Sequence, residues 1–255
     1  MGKRLALVGA AVAAGAMSFA PGANAAFPDF SDCPRGTPNV VVCVNIQSRS
    51  GYLDIKGFRV PIGESFQIRG GLADDGTGVG ATFIPPSGTS GVFSKPVQVP
   101  GGILGIDLPL SINKVAATAQ LAGEPRAVKI DTNTFSVEMP IKLKLDNPVI
   151  GPGCTIGTSS NPVHVRLITG TTNPPAPNRP ISGRVGEFEI PDPYTIILRN
   201  AVNVDNGFAI PGASYCGLGL GLINTIINAK MKLPSAAGNN AMEIGNDVAI
   251  TNGQI

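Results

Sequence analysis

The chain contains no tryptophan, only three tyrosines and a single histidine, and charged residues fill just 14% of its positions. Each scarcity excludes something. Sugar sites usually offer Trp or Tyr platforms, and this chain has almost none. Any histidine-dependent mechanism rests on His164, which falls on the opposite parity from Val163, Val165 and Leu167 and so belongs to the polar face of its strand. No Gly-x-Ser-x-Gly elbow supplies a serine for it to activate. Cys and His at metal-ligand spacing, such as Cys-x-x-Cys, are missing as well, which argues against zinc. No catalytic, cofactor-binding or metal-ligating residue is assigned, and the expectation is a protein that is not an enzyme.

What the chain does have starts at its first residues. Lys3 and Arg4, a small-apolar run from Leu5 to Phe19 and the triplet Ala23-Asn24-Ala25 read as a cleavable export signal over 1–25, cut after Ala25. The run is too short and too rich in alanine and glycine for a membrane span. Residues 26–255 are then expected to form a single β-rich domain, secreted or associated with the cell wall. Cleavage removes two of the 19 basic residues and none of the 17 acidic ones, leaving no formal net charge. With no charge excess and no Lys/Arg cluster, nothing points to nucleic acid or an anionic membrane as partner. No lipid-bearing Cys follows the signal, no second long apolar span occurs, and Leu233-Pro234-Ser235 starts like a wall-sorting signal without the rest of one.

Cys33, Cys43, Cys154 and Cys216 all follow the signal, in a compartment where thiols oxidise, so two disulfides are expected. Three pairings are open. Cys33 with Cys43 would close a short loop across Pro34, Gly36 and Pro38 and leave Cys154 for Cys216.

Hydrophobic residues at 43% suffice for an aliphatic core, while 33 glycines and 23 prolines imply many turns. The expected fold is mainly β: an antiparallel β-sandwich with long Gly/Pro-rich loops and one C-terminal helix. Val40 to Ile46 reads as a buried strand, followed by a turn at Ser48 to Gly51. Leu53 and Ile55 share a face while Phe58 and Val60 lie on the other parity, which predicts a bulge at Gly57. After a short strand at Phe66 and Ile68, residues 70–102 look like long exposed loops with only Val97 and Val99 alternating.

Regular alternation then returns at Ile106 to Ile112, Val115 to Leu121, Phe135 to Leu145 and Val163 to Leu167. Pro140 implies an edge position or a bulge in the third of these. The Thr/Pro-rich connector 169–183 is a crossover loop in a sandwich or, less simply, a boundary between subdomains. Further strands are expected over Val185 to Ile190, Tyr194 to Val204 and Met242 to Ile250. A helix from Leu218 to Lys232 carries Leu220, Ile223, Ile227 and Met231 on one face, widened by Leu222 and Ile226, and is stopped by Pro234.

Two groups of segments carry a resemblance. Leu145-Asp146-Asn147-Pro148, Gly153-Cys154-Thr155-Ile156-Gly157, Asn161-Pro162-Val163 and the stretch to Gly183 form the first. Val204-Asp205-Asn206-Gly207-Phe208, Tyr215-Cys216-Gly217 and Leu233 to Asn239 form the second. Together they resemble a family of exported, uncharacterised proteins of filamentous and related high-GC Gram-positive bacteria, over most of the chain from about residue 100. No activity is known for that family, so the resemblance implies location and no mechanism. It supports pairing Cys154 with Cys216, since both lie inside the similar segments.

The remaining constellations have plain structural readings. Asp74-Asp75-Gly76-Thr77-Gly78 has too few alternating oxygen ligands for a calcium loop and the wrong order for an aspartic-protease turn; an Asx turn is expected. Glu187 and Glu189 share a strand face and could flank a sugar, but read as solvated. The Gly-Leu repeat of 217–222 lacks the Lys-Ser/Thr end of a phosphate loop and suits close packing at the helix start. The leading expectation is an exported, non-enzymatic protein at the cell surface or in the medium, acting through loops or exposed strands on a cell-envelope component. The alternative is a carrier of an apolar small molecule or lipid in an aliphatic pocket under the helix, and a third is an envelope hydrolase using Glu187 and Glu189.

Overall fold

A computed structural model describes residues 27–76, 80–103, 108–130, 134–217 and 221–253. The expected export signal, Thr77 and Gly78, Ile106 and the Leu218–Leu220 part of the Gly-Leu repeat lie outside them. The described residues form fifteen strands and one helix: β1 Val40–Ile55, β2 Phe58–Pro61, β3 Phe66–Asp74, β4 Ala81–Ile84, β5 Val92–Ser94, β6 Val97–Val99, β7 Val115–Leu121, β8 Arg126–Ile130, β9 Phe135–Asp146, β10 Thr155–Ile156, β11 Val163–Ile168, β12 Glu187–Asp192, β13 Thr195–Asp205, β14 Ala213–Ser214, α1 Leu222–Met231 and β15 Asn240–Asn252.

The fold is mainly β and antiparallel, with its one described helix near the C-terminus. Two well-paired layers face each other. One runs β13-β15-β1-β3-β4, and the other is built on β9 with β7, β8 and β11. Their edges touch through single residue pairs, Ala81 with Val128 and Ile168 with Val204, so the sheet closes into a flattened ring. Closure of this kind leaves fewer open strand edges. The alternating residues do what their period implies: Phe135, Val137, Met139, Ile141 and Leu145 of β9 are buried between the layers, while Glu138 is exposed.

Several segments differ from the sequence-based expectation, each for a local reason. Ser48 to Gly51 does not turn the chain; β1 runs through it, with a register shift against β15 between Ser48 and Ser50. The turn is instead at Lys56 and Gly57, both at positive φ, which set Ile55 opposite Phe58 and Leu53 opposite Val60. A two-residue hairpin explains the parity change without a bulge. Residues 70–102 hold most of β3 together with β4, β5 and β6. Gly70 resembles a loop residue in sequence, yet it sits in β3 because a Cβ there would meet the Phe83 ring at 2.8 Å.

The opposite error occurs at 108–112, where an alternating pattern predicts a strand and the structure has bends and turns, with Leu110 and Ile112 exposed. Pro140 is not on an edge, because β9 is paired on both sides. Its carbonyl accepts from Ala122 N at 2.8 Å, so the missing N–H faces the break between β7 and β8. The irregularity that Pro140 requires is thus placed on the neighbouring strand.

The connector 169–183 folds back on itself through the Thr171–Ser182 bridge, and strands from both sides of it share the ring. Both disulfides pair as the shorter loop suggests, Cys33 with Cys43 and Cys154 with Cys216. No described helix is long and apolar enough to cross a membrane.

Candidate functional site

His164 lies on the outer face of β11, across from Pro140, and is exposed. It lines an open groove of about 640 Å³ with Ser159, Glu124, Glu138 and Arg166. Among the described residues no hydrogen bond links His164 to Ser159. Glu187 and Glu189 are both exposed on β12, and Glu189 accepts from Arg199 Nε at 2.8 Å. Asp74 ends β3 and accepts from Gly76 N at 2.8 Å, the Asx turn expected of it. These residues stand apart on the fold, as solvated or turn-forming groups.

β12 is exposed along its whole length and, among the described residues, pairs only with β13. Phe188 sits opposite buried Leu198, so it extends the inner face of the sheet past its cover. Acidic Glu187, Glu189 and Asp192, with Pro191, guard this edge against another strand.

An apolar cavity of about 70 Å³ lies between the two layers. Its walls come from β1, β7, β9 and β15, including Leu53, Ala117, Met139, Ile141 and Met242. The helix contributes Met231 alone, so the expected pocket under the helix is instead an interior gap that α1 borders at one end. Filling such a gap is stabilising when the added group meets no strain. Ala117→Val is expected to raise the melting temperature by about 2–4 °C, equivalent to about 1 kcal/mol, in a calorimetric scan. A lower melting temperature would mean the wall cannot accept a branched side chain.

The most distinctive surface is the end that carries α1 and the second disulfide. Leu110, Ile112, Val149, Tyr215, Leu222 and Ile226 are exposed there, from 45% for Ile226 to 69% for Tyr215. Printed on sequence they are scattered; a chain of contacts makes them neighbours. Asn147 Nδ2 donates to the carbonyls of Ile112 and Lys114, each at 2.8 Å, and its Oδ1 accepts from Val149 N at 2.7 Å. Gly217 N donates to Ile150 O at 2.7 Å. Gly217, at φ 73°, lies directly against Ile223, which is the close packing expected at the helix start.

Two asparagines one helical turn apart hold α1 in place. Asn224 Oδ1 accepts from Cys216 N at 2.9 Å and Asn228 Oδ1 from Ala213 N at 2.7 Å. Lys230 Nζ reaches the Gly101 and Gly102 carbonyls, and burial holds its pKa below the ordinary lysine value. With Asn224, Asn228 and Lys230 engaged inward, Ile223, Ile227 and Met231 pack on the core. Leu222 and Ile226 do not widen that face; they point to solvent at 66% and 45% exposure. The spacing Asn224–Asn228 is the signal in the sequence that identifies the anchored face, since side chains four apart share one side of a helix.

The N-terminal lead is also fastened. Arg69 Nη1 contacts Asp29 at 3.1 Å and Asp32 at 2.8 Å, and Asn45 Nδ2 donates to Asp29 O at 2.7 Å. The hydrogen bonds from Ser31 to its carboxylate, together with Arg69, hold the Asp29 pKa below the usual aspartate value. Searches of protein families, of characterised proteins and of solved structures find no match to this chain.

Proposed function

We propose that this is an exported, non-enzymatic binding protein that attaches to a component of the cell envelope through the loop-bearing end around α1. The observation that carries this reading is the set of six exposed large apolar side chains on that end, whose segments are held by a disulfide and asparagine side-chain hydrogen bonds. Several exposed large apolar side chains gathered on one end of a fold mark a binding face more often than singly scattered ones do. The two disulfides fit an oxidising, extracellular setting. In co-sedimentation of the purified, disulfide-intact protein with washed cell envelope, retention is expected at low and high salt. Full recovery in the supernatant at both salts would remove this reading.

The interior cavity supports a second reading, a carrier of a small apolar molecule. At about 70 Å³ it is under half the volume of an engineered apolar cavity that admits benzene, about 150 Å³, so a lipid chain would need the layers to part. Native mass spectra of the exported protein test it. A bound apolar species lost in Ala117→Val would support this reading, and a ligand-free spectrum would count against it.

A further inference from the structure

The apolar end has a second property, visible only once its segments are assembled. Segments 108–114, 147–154 and 206–239 contain Lys114, Lys230 and Lys232 and not one Asp or Glu. Lys56 joins them, because Lys56 Nζ donates to the Lys232 and Pro234 carbonyls at 2.9 and 3.2 Å. The whole chain carries 19 basic and 17 acidic residues, whereas these segments carry lysines alone, with Asp107, Asp146 and Asp205 just beyond their bounds. The one acid of the adjoining 100–107 stretch, Asp107, lies outside the described residues. The overall charge balance, which gave no sign of an anionic surface as partner, conceals this local asymmetry.

From this arrangement we infer that the end around α1 docks onto a lipid layer, inserting its apolar side chains among the headgroups with Lys114 and Lys232 beside the phosphates. This rests on the reading of that end as the binding face and names what it binds. Three features select lipid over a protein partner. The exposed residues are aliphatic points on separate turns, with no Trp or Arg among them, whereas protein hot spots favour Trp, Tyr and Arg set in pockets. Tyr215, the one aromatic and the most exposed of the six, is a residue type that settles at lipid–water boundaries. The helix presents Leu222 and Ile226 outward while its other face is anchored, as a helix lying in the interface does. Exposed Lys114 and Lys232 complement phosphate headgroups.

The test is flotation of the disulfide-intact exported protein with vesicles of phosphatidylcholine alone and with one-third phosphatidylglycerol. Binding to both is expected, tighter with phosphatidylglycerol. Leu222→Ser with Ile226→Ser should weaken it at least about tenfold with little change in melting temperature, because both side chains are already in solvent. Lys114→Gln should narrow the difference between the two vesicle types. Two results would overturn the inference: no flotation with either vesicle, or undiminished flotation of the double variant. If vesicles fail while washed envelope still retains the protein and the double variant loses that retention, the partner is a glycan or protein and the binding-face reading stands. If envelope retention fails too, both fall.

Discussion

Replacing Cys154 and Cys216 together by alanine is expected to lower the unfolding free energy by about 4 kcal/mol, the largest effect foreseen for any change in this protein. The bridge closes a separation of 62 residues, against 10 for Cys33–Cys43, whose loss should cost about 3 kcal/mol on the same chain-entropy argument. Both sulfurs of the longer bridge are fully buried in the core cluster, so alanine also leaves unfilled space. The consequence reaches the binding end. Cys154 leads into β10 and Cys216 follows β14, so the bridge joins the 147–153 turn to the segment that α1 is pinned to. Denaturant unfolding of the two double-alanine variants gives the comparison. Equal losses would show that loop length does not govern these bridges. The 154–216 variant should also lose vesicle and envelope binding under conditions where the 33–43 variant keeps it.

Asp247→Asn is expected to cost about 2 kcal/mol at neutral pH, with a cost that shrinks in acid. Asp247 is buried on β15, where its Oδ2 accepts from Arg49 Nη2 at 3.0 Å and Arg199 Nη1 at 3.1 Å and its Oδ1 from Asn200 N at 3.0 Å. Burial alone pushes its pKa up; the Asn200 N–H and the two guanidinium groups outweigh that and hold it below the usual aspartate value. A carboxyl depressed in the folded state stabilises fully above its unfolded pKa, about 3.9, and loses that contribution as pH falls through the folded value. The wild-type advantage should therefore be constant from about pH 7 to 5 and decline below about pH 4. Both arginines are about one-third exposed, which keeps the figure below the 3–5 kcal/mol of a fully buried pair. Urea midpoints for both proteins across that range decide it; a difference that persists unchanged to pH 2 would show that ionisation of Asp247 is not the source.

Much of the strand content was legible because a half-buried strand needs apolar side chains at every second residue. Phe135 to Leu145, Val163 to Leu167 and Met242 to Ile250 declare themselves this way and fall within β9, β11 and β15. Periodicity failed where a residue had a second use. Gly70 packs against Phe83 inside a strand and was read as a loop, while Leu110 and Ile112 alternate but belong to an exposed turn. Pro234 marks the C-terminal end of the helix in the sequence, but hydrophobicity alone does not distinguish its faces. Leu222 and Ile226 are as hydrophobic as Ile223 and Ile227, and only Asn224 and Asn228 indicate which side is held.

The residues by themselves determined the mainly β, antiparallel character and the late helix, because period and turn chemistry are properties of short segments, and the even set of four cysteines pointed to two disulfides. Tertiary structure alone decided that the two layers join at their edges, that Pro140's missing donor meets a break in its neighbour, and that the cavity lies between the layers. It also decided that the segments bearing Leu110, Ile112, Val149, Tyr215, Leu222 and Ile226 meet at one end. Those residues come from four stretches spread over more than a hundred positions, and no local rule couples such distances. Contacts from Asn147, Gly217, Asn224 and Asn228, with the Cys154–Cys216 bridge, bring them together.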